Sequence, residues 1–215
     1  MERTQRTPGT GGTPDGMGSI LSAGQTYTAE DILKTMPMQE YIAGYRDFGR
    51  VRGYCHECSR FGTCWACPPY SFDEEQCLRR YGTIDLLATR ITPAGGTVLT
   101  REVSEEIIRK ERHRLDAMLL RREREAGSGE DGSGERGCNS PVRAFFAGTC
   151  LLCPPEQCTR RSNAPCRHPE SIRPSLEAMG FDIALTASDI FGIPLQWASN
   201  GNPPAYLTLV SGLAY

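Results

Sequence analysis

An α+β fold, with a small mixed or antiparallel sheet and helices on one side, follows from three features of this 215-residue sequence. The first is a compact apolar run of strand length at residues 84–91, IDLLATRI. The second is residues 102–125, where Ile107, Ile108, Leu115, Met118 and Leu119 recur at helical spacing among Arg and Glu. The third is a further apolar run at 142–147, VRAFFA, with two more strand candidates near the C-terminus. A strand, a long amphipathic helix and more strands bury their apolar faces by packing as sheet against helix.

The remaining elements follow in order. Residues 1–24 are rich in Gly, Thr, Pro and Ser and have few large apolar side chains, which predicts a disordered tail. Residues 25–215 then read as one domain, with a flexible Gly/Ser/Glu insert at about 126–137. Thr28, followed by Ala29, Glu30, Asp31, Ile32 and Leu33, has the pattern of a capped helix that ends near Pro37. Tyr41, Ile42, Tyr45 and Phe48 suggest a second short helix or turn. Ser71 as N-cap with Asp73, Glu74 and Glu75 in the first turn predicts a helix over 71–81. Residues 169–179 predict another, capped by Ser171 or Ser175 and stopped by Gly180. Residues 181–186 fit a strand or the start of a helix, and 187–191 is helix-like. Residues 195–198 and 205–210 fit strands about the turn Asn200-Gly201-Asn202-Pro203.

Composition narrows the function. A net charge of −2 excludes an overall basic nucleic-acid binder. No apolar run reaches the length of a signal peptide core or of a membrane span, so the expected location is the cytoplasm, with no membrane partner. In reducing cytosol, clustered cysteines are metal ligands or redox dithiols more often than disulfides. The chain has ten, and eight of them fall in two clusters. No phosphate-cradling Gly-rich motif and no Ser-His-Asp set with a nucleophile elbow is present, so no catalytic residue is assigned.

The first cluster is C-x2-C-x5-C-x2-C: Cys55, Cys58, Cys64 and Cys67, followed by Pro68-Pro69. Two-residue gaps let paired sulfurs turn toward one centre, and four thiolates complete a zinc site or hold the irons of a cluster. The middle gap is too short for a zinc ribbon, and a tight string ending in Cys-Pro is closer to ferredoxin-type ligation. The second cluster is C-x2-C-x4-C-x7-C: Cys150, Cys153, Cys158 and Cys166. Its neighbours Arg160, Arg161, Arg167 and Arg173 either offset thiolate charge or form ordinary solvated surface. His56 and His168 are weaker ligand candidates, and Cys77 and Cys138 are spare, although Cys77 could replace a ligand. The tight spacing and the Cys-Pro ending favour an iron–sulfur cluster, of the [4Fe–4S] kind, over zinc. A protein with one or two such clusters would transfer electrons or support a partner redox protein. The alternatives are a structural zinc module and a thiol–disulfide oxidoreductase using Cys64 and Cys67 as a C-x-x-C pair.

The stretch CSRFGTCWACPP at 58–69 resembles the signature of the DUF2284 family of predicted metal-binding proteins. The stretch from FFAGTCLLC through APCRHPESIRPSLEAMGFDI resembles that family's downstream motif still more closely. Together they cover most of residues 50–215 apart from the insert. The resemblance implies metal binding, with Cys55, Cys58 and Cys67 matching the first motif and Cys150, Cys153, Cys158 and Cys166 the second. Two positions depart from the pattern: Cys64 lies at a variable position, and Pro154-Pro155 lengthen the gap between Cys153 and Cys158. Arg173, Ser175, Glu177 and Met179 belong to the resembling helix, where capping and packing compete with a role near the cysteines.

Overall fold

The apolar run at 84–91 lies at the centre of the sheet. In the computed structural model, which describes residues 26–127, 140–199 and 202–215, it becomes β2 (Thr83–Pro93). β1 (Tyr27–Pro37) pairs along one side of it and β4 (Leu207–Ala214) along the other, and β3 (Arg143–Phe145) pairs with the outer side of β4. Every pairing is antiparallel. Five α-helices surround this sheet: α1 (Met38–Tyr45), α2 (Phe48–His56), α3 (Glu74–Leu78), α4 (Arg101–Ala126) and α5 (Ile183–Leu185), which runs into a π-helical turn at Thr186–Ile190.

A strand covered on both faces loses polar alternation, and β2 is so covered. Ile107 and Leu115 of α4 pack with Leu87 and Ile91 on one face. On the other, Met38 and Tyr41 of α1, Leu78 of α3 and Leu176, Met179 and Phe181 pack with Ile84, Leu86 and Val210. Tyr41 stacks on Phe181 with ring centroids 4.2 Å apart. The α+β class and the antiparallel sheet are those expected from sequence. The long helix covers one face, as expected, and the second face is covered too, by short helices and turns.

The sequence misreads residues 28–37. They form β1, not a capped helix, and pair residue by residue with β2 from Tyr27↔Pro93 to Pro37↔Thr83. Pairing along the whole length of a central strand overrides a local capping signal. Asp31, which the helix reading puts in a first turn, instead accepts from Thr89 Oγ1 at 2.6 Å and forms an ion pair with Arg114 of α4 at 2.7 Å. The helix predicted over 71–81 is shorter, and Asp73 caps it in place of Ser71, accepting from Gln76 N at 2.8 Å. Of the helix predicted at 169–179, only a 3-10 turn at Glu177–Met179 forms. Pro174 lacks the N–H that the interior of a helix there would use. Ser175 Oγ does accept from Ala178 N at 3.2 Å, and Gly180 stops the turn at φ 93°. A side chain at Gly180 would be strained at that φ, and its Cβ would lie 3.0 Å from Phe48 Cδ2. Residues 195–198 are not a strand; Gln196 Oε1 accepts from Ala205 N at 2.7 Å instead. The expected 1–24 tail, Cys138, Asn200 and Gly201 lie outside the described residues, as does the 126–137 insert beyond Gly127.

One buried carboxylate ties the layers together. Glu123 of α4 accepts from Ala144 N of β3 at 3.1 Å and from Arg173 Nε at 2.9 Å. Glu123→Ala leaves a buried N–H and a guanidinium unpaired. The expected cost is about 3 kcal/mol, read as a fall in Tm of about 6–12 °C. The Asp31 carboxyl gives a pH signature. Burial pushes it up, but the hydrogen bonds from Arg114 and Thr89 outweigh this and hold it below the usual carboxylate range. Its stabilising contribution is therefore present above the unfolded value of about 4 and lost as pH falls through the folded one. Asp31→Asn should cost about 0.5–1 kcal/mol at pH 7 for this half-exposed pair. Denaturant titrations should show the gap to wild type closing below about pH 4.

Candidate metal centre

The first cysteine cluster begins in the last turn of α2, which carries Cys55. Beyond it the chain folds as successive tight turns. Cys58 N donates to Cys55 O at 3.1 Å, Phe61 N to Cys58 O at 3.0 Å, Thr63 N to Arg60 O at 3.1 Å and Cys67 N to Cys64 O at 3.0 Å. Gly62 N closes the loop onto Pro68 O at 2.8 Å. The winding leaves Cys58 exposed and Cys64 buried, only 2% accessible.

The second cluster follows β3. The chain passes through Phe146 and Ala147 to Gly148, whose φ of 70° favours glycine. A Cβ there would stand 3.5 Å from the Arg112 guanidinium carbon, an ordinary contact, so conformation and not space requires the glycine. Arg112 reaches up from α4 and donates to the Thr149 carbonyl. The loop then makes 3-10 turns at Pro155–Gln157 and Thr159–Ser162. Two backbone N–H groups already point at sulfur: Leu152 N at Cys150 Sγ, 3.5 Å, and His168 N at Cys166 Sγ, 3.4 Å.

The two loops interlock. Arg160 of the second loop donates to the carbonyls of Cys64 (2.9 Å), Cys67 and Pro69 in the first. Trp65 of the first loop answers by donating Nε1–H to Ala164 O at 3.1 Å and Thr159 Oγ1 at 3.3 Å. The Arg160 guanidinium also lies 5.2 Å from the centre of the Trp65 ring. Thr149 Oγ1 meets Cys67 Sγ at 3.4 Å. Cys64, tied to Cys67 through the backbone, shares this seam with Cys150 of the second loop. Five of the eight candidate ligands, Cys64, Cys150, Cys153, Cys158 and Cys166, line one recess of about 340 Å³, counting its open mouth. Arg60 and Arg167 also line it.

Hydrogen bonds from Cys150 and Cys67 hold the Cys64 thiol far below its ordinary value. The same bonds, with burial, push Cys67 and Cys150 up. Burial raises Cys55 and Cys166. Beneath Thr149, Arg112 lies in the field of Asp116 and Glu177. Burial pushes Asp116 up to about 7 and lifts Glu177 above the usual carboxylate range. Arg112 Nε, Asp116 Oδ1 and Glu177 Oε2 are sealed from solvent without a hydrogen-bond partner.

The sequence candidates therefore divide. The recess gathers five cysteines, Cys67 adjoins it through Cys64 and Thr149, and Cys55 and Cys58 stand on the α2 side of the first loop. Cys77 lies in the core at 2% exposure and is disulfide-bonded, which removes it as a replacement ligand. The His56 ring packs against Phe61 at 4.1 Å, and His168 offers its backbone N–H to Cys166. Of the four arginines flanking the second cluster, Arg160 and Arg167 serve the site. Arg161 donates to Pro155 O at 3.2 Å, and Arg173 belongs to the Glu123 ion pair. Among the described residues, no three Cys, His, Asp or Glu side chains already surround a position for a single ion. Arg112, Thr149 and Trp65 went unnoticed in the sequence. The signal for Arg112 was there: it interrupts the apolar stripe between Ile108 and Leu115.

No curated protein and no solved structure matches the chain. The family described as "predicted metal-binding protein (DUF2284)" matches residues 47–213. That span runs from the N-cap of α2 to β4 and includes both interlocked loops with all eight free thiols. The chain belongs to the DUF2284 family of predicted metal-binding proteins.

Proposed function

We propose that the eight clustered cysteines hold iron–sulfur chemistry of the [4Fe–4S] kind and that the protein passes electrons to and from a partner redox protein in the cytoplasm. The observation that carries this reading is the recess: five thiols drawn from both motifs, with arginines beside them. An all-thiolate donor set is soft and suits iron–sulfur or zinc. The short C-x2-C spacings and the Cys67-Pro68 ending favour the former. The N–H groups of Leu152 and His168 aimed at sulfur supply the bonds by which proteins tune such centres. Bound clusters of this kind take up and release single electrons.

The chain's own residues set the conditions. Arg60 and Arg167 offset thiolate charge at the recess. Arg112 fixes the Thr149 carbonyl next to Cys150. Arg160 fixes the first loop by three carbonyls. Among the described residues, no helix is long and apolar enough to cross a membrane. The lowered Cys64 thiol favours a second reading, a C-x-x-C dithiol with Cys67. Against it stands burial: a thiol 2% exposed under the Arg160 clasp is poorly placed to attack a protein disulfide.

Anaerobically purified protein should be brown, contain iron and acid-labile sulfide, and bleach with dithionite. Stoichiometric zinc in colourless protein would replace this reading with a structural module, and metal-free protein with titratable thiols would favour the dithiol. Arg160→Ala should lower stability by about 2–3 kcal/mol and speed iron loss to a chelator at least several-fold. Arg160→Lys should rescue little, because an ammonium cannot reproduce a planar fork spanning several carbonyls.

A further inference from the structure

Eight thiols make two sets of four, and the natural division is one set per motif. The packing of the loops points elsewhere. Cys64 belongs to the first motif, yet it lines the recess with Cys153, Cys158 and Cys166, whereas Cys55, Cys58 and Cys67 do not line it. The backbone around Cys64 is also held by the second motif. Its carbonyl accepts from Arg160, and the next residue, Trp65, donates to Thr159 and Ala164. The start of the second motif leans the other way. Thr149, the neighbour of Cys150, contacts the Cys67 sulfur at 3.4 Å. Cys64 and Cys150 meet at the seam, where both line the recess. The recess offers five thiols where a four-thiolate site uses four, so one of these two is left for the other set.

We infer that the two motifs exchange a ligand: Cys64 completes a site with Cys153, Cys158 and Cys166, and Cys150 completes a site with Cys55, Cys58 and Cys67. This deepens the iron–sulfur reading and rests on it. The same device occurs in two-cluster ferredoxins, where the last cysteine of a tight string serves the other cluster. Here the exchange makes each site depend on both loops, and no metal can fill either site fully until Arg160 and Trp65 have docked them.

The test uses the full chain, reconstituted anaerobically and read by iron and sulfide content and by low-temperature EPR of the reduced protein. Wild type should hold about eight irons, the content of two [4Fe–4S] centres. The background Cys55→Ser/Cys58→Ser should keep about half. Adding Cys64→Ser should empty it, and adding Cys150→Ser should leave it unchanged. In the background Cys153→Ser/Cys158→Ser the dependence should invert, with Cys150→Ser emptying the remaining site and Cys64→Ser sparing it. A substitution that merely unfolds the protein empties both backgrounds, so the inversion separates ligand loss from misfolding. The opposite pattern, in which each motif loses its own iron, overturns the exchange and leaves the iron–sulfur reading standing, as does loss, or retention, with both substitutions in either background. Wild type without iron overturns both.

Discussion

The Arg160–Trp65 clasp is the interaction on which the candidate site depends. Each cysteine loop is a string of tight turns, and backbone polar groups enclosed between two such loops need partners. Arg160 solves this with a planar fork of donors that satisfies three carbonyls of the first loop at once. Trp65 returns one donor to the second loop and covers the guanidinium with its ring. The partners are more than 90 residues apart in sequence, so the clasp forms only after the sheet has brought the loops together. Contacts between the α1–α2 junction and the turn after the second loop take part in this. Arg46 Nε donates to Met179 O at 2.9 Å, Asp182 N donates to Tyr45 O at 2.8 Å, and Phe48 lies against Gly180. The turn that leaves the second loop is thereby fixed to the start of the helix that leads into the first.

Charge imposes the second constraint. Thiols that act as ligands do so as thiolates, and several of them in one recess repel one another unless cations or metal offset them. Arg60 and Arg167 stand at the recess, and Arg112 rises beneath the neighbouring loop from the buried face of α4, which also carries Glu111 and Glu123. Burying Arg112 is costly: desolvation lowers its pKa, and the nearby carboxyls of Asp116 and Glu177 only partly oppose this. Burial lifts both acids. α4 thus does two jobs: its apolar positions cover the sheet, and its one buried arginine braces the second loop.

What the sequence disclosed depended on the range of the interactions involved. β2, β4 and α4 carry their own patterns, because apolar faces repeat along a strand or helix whatever the partner. β1 does not. Thr28, Glu30 and Asp31 imitate a helix start, and what makes them a strand is pairing with residues 83–93 and the hold of Arg114 and Thr89 on Asp31. The cysteine motifs were legible for the same reason as α4, since their spacing is local. Their mutual arrangement was not, because it is written in carbonyl hydrogen bonds that no side-chain pattern records. Arg160 looked like one of four equivalent flanking arginines; only the fold separates it from Arg173, which serves Glu123 fifty residues away.

Docking and metal loading are thermodynamically one process in such an arrangement. When ligands come from two segments, metal binding free energy stabilises whatever conformation holds the segments together. The reverse also holds: hydrogen bonds that dock the loops before loading reduce the ordering cost that binding must meet. The clasp, the Thr149–Cys67 contact and the N–H groups aimed at Cys150 and Cys166 are contacts of that second kind. The chain's two cysteine motifs, far apart in sequence, are thus held as halves of one frame by residues outside the cysteine set.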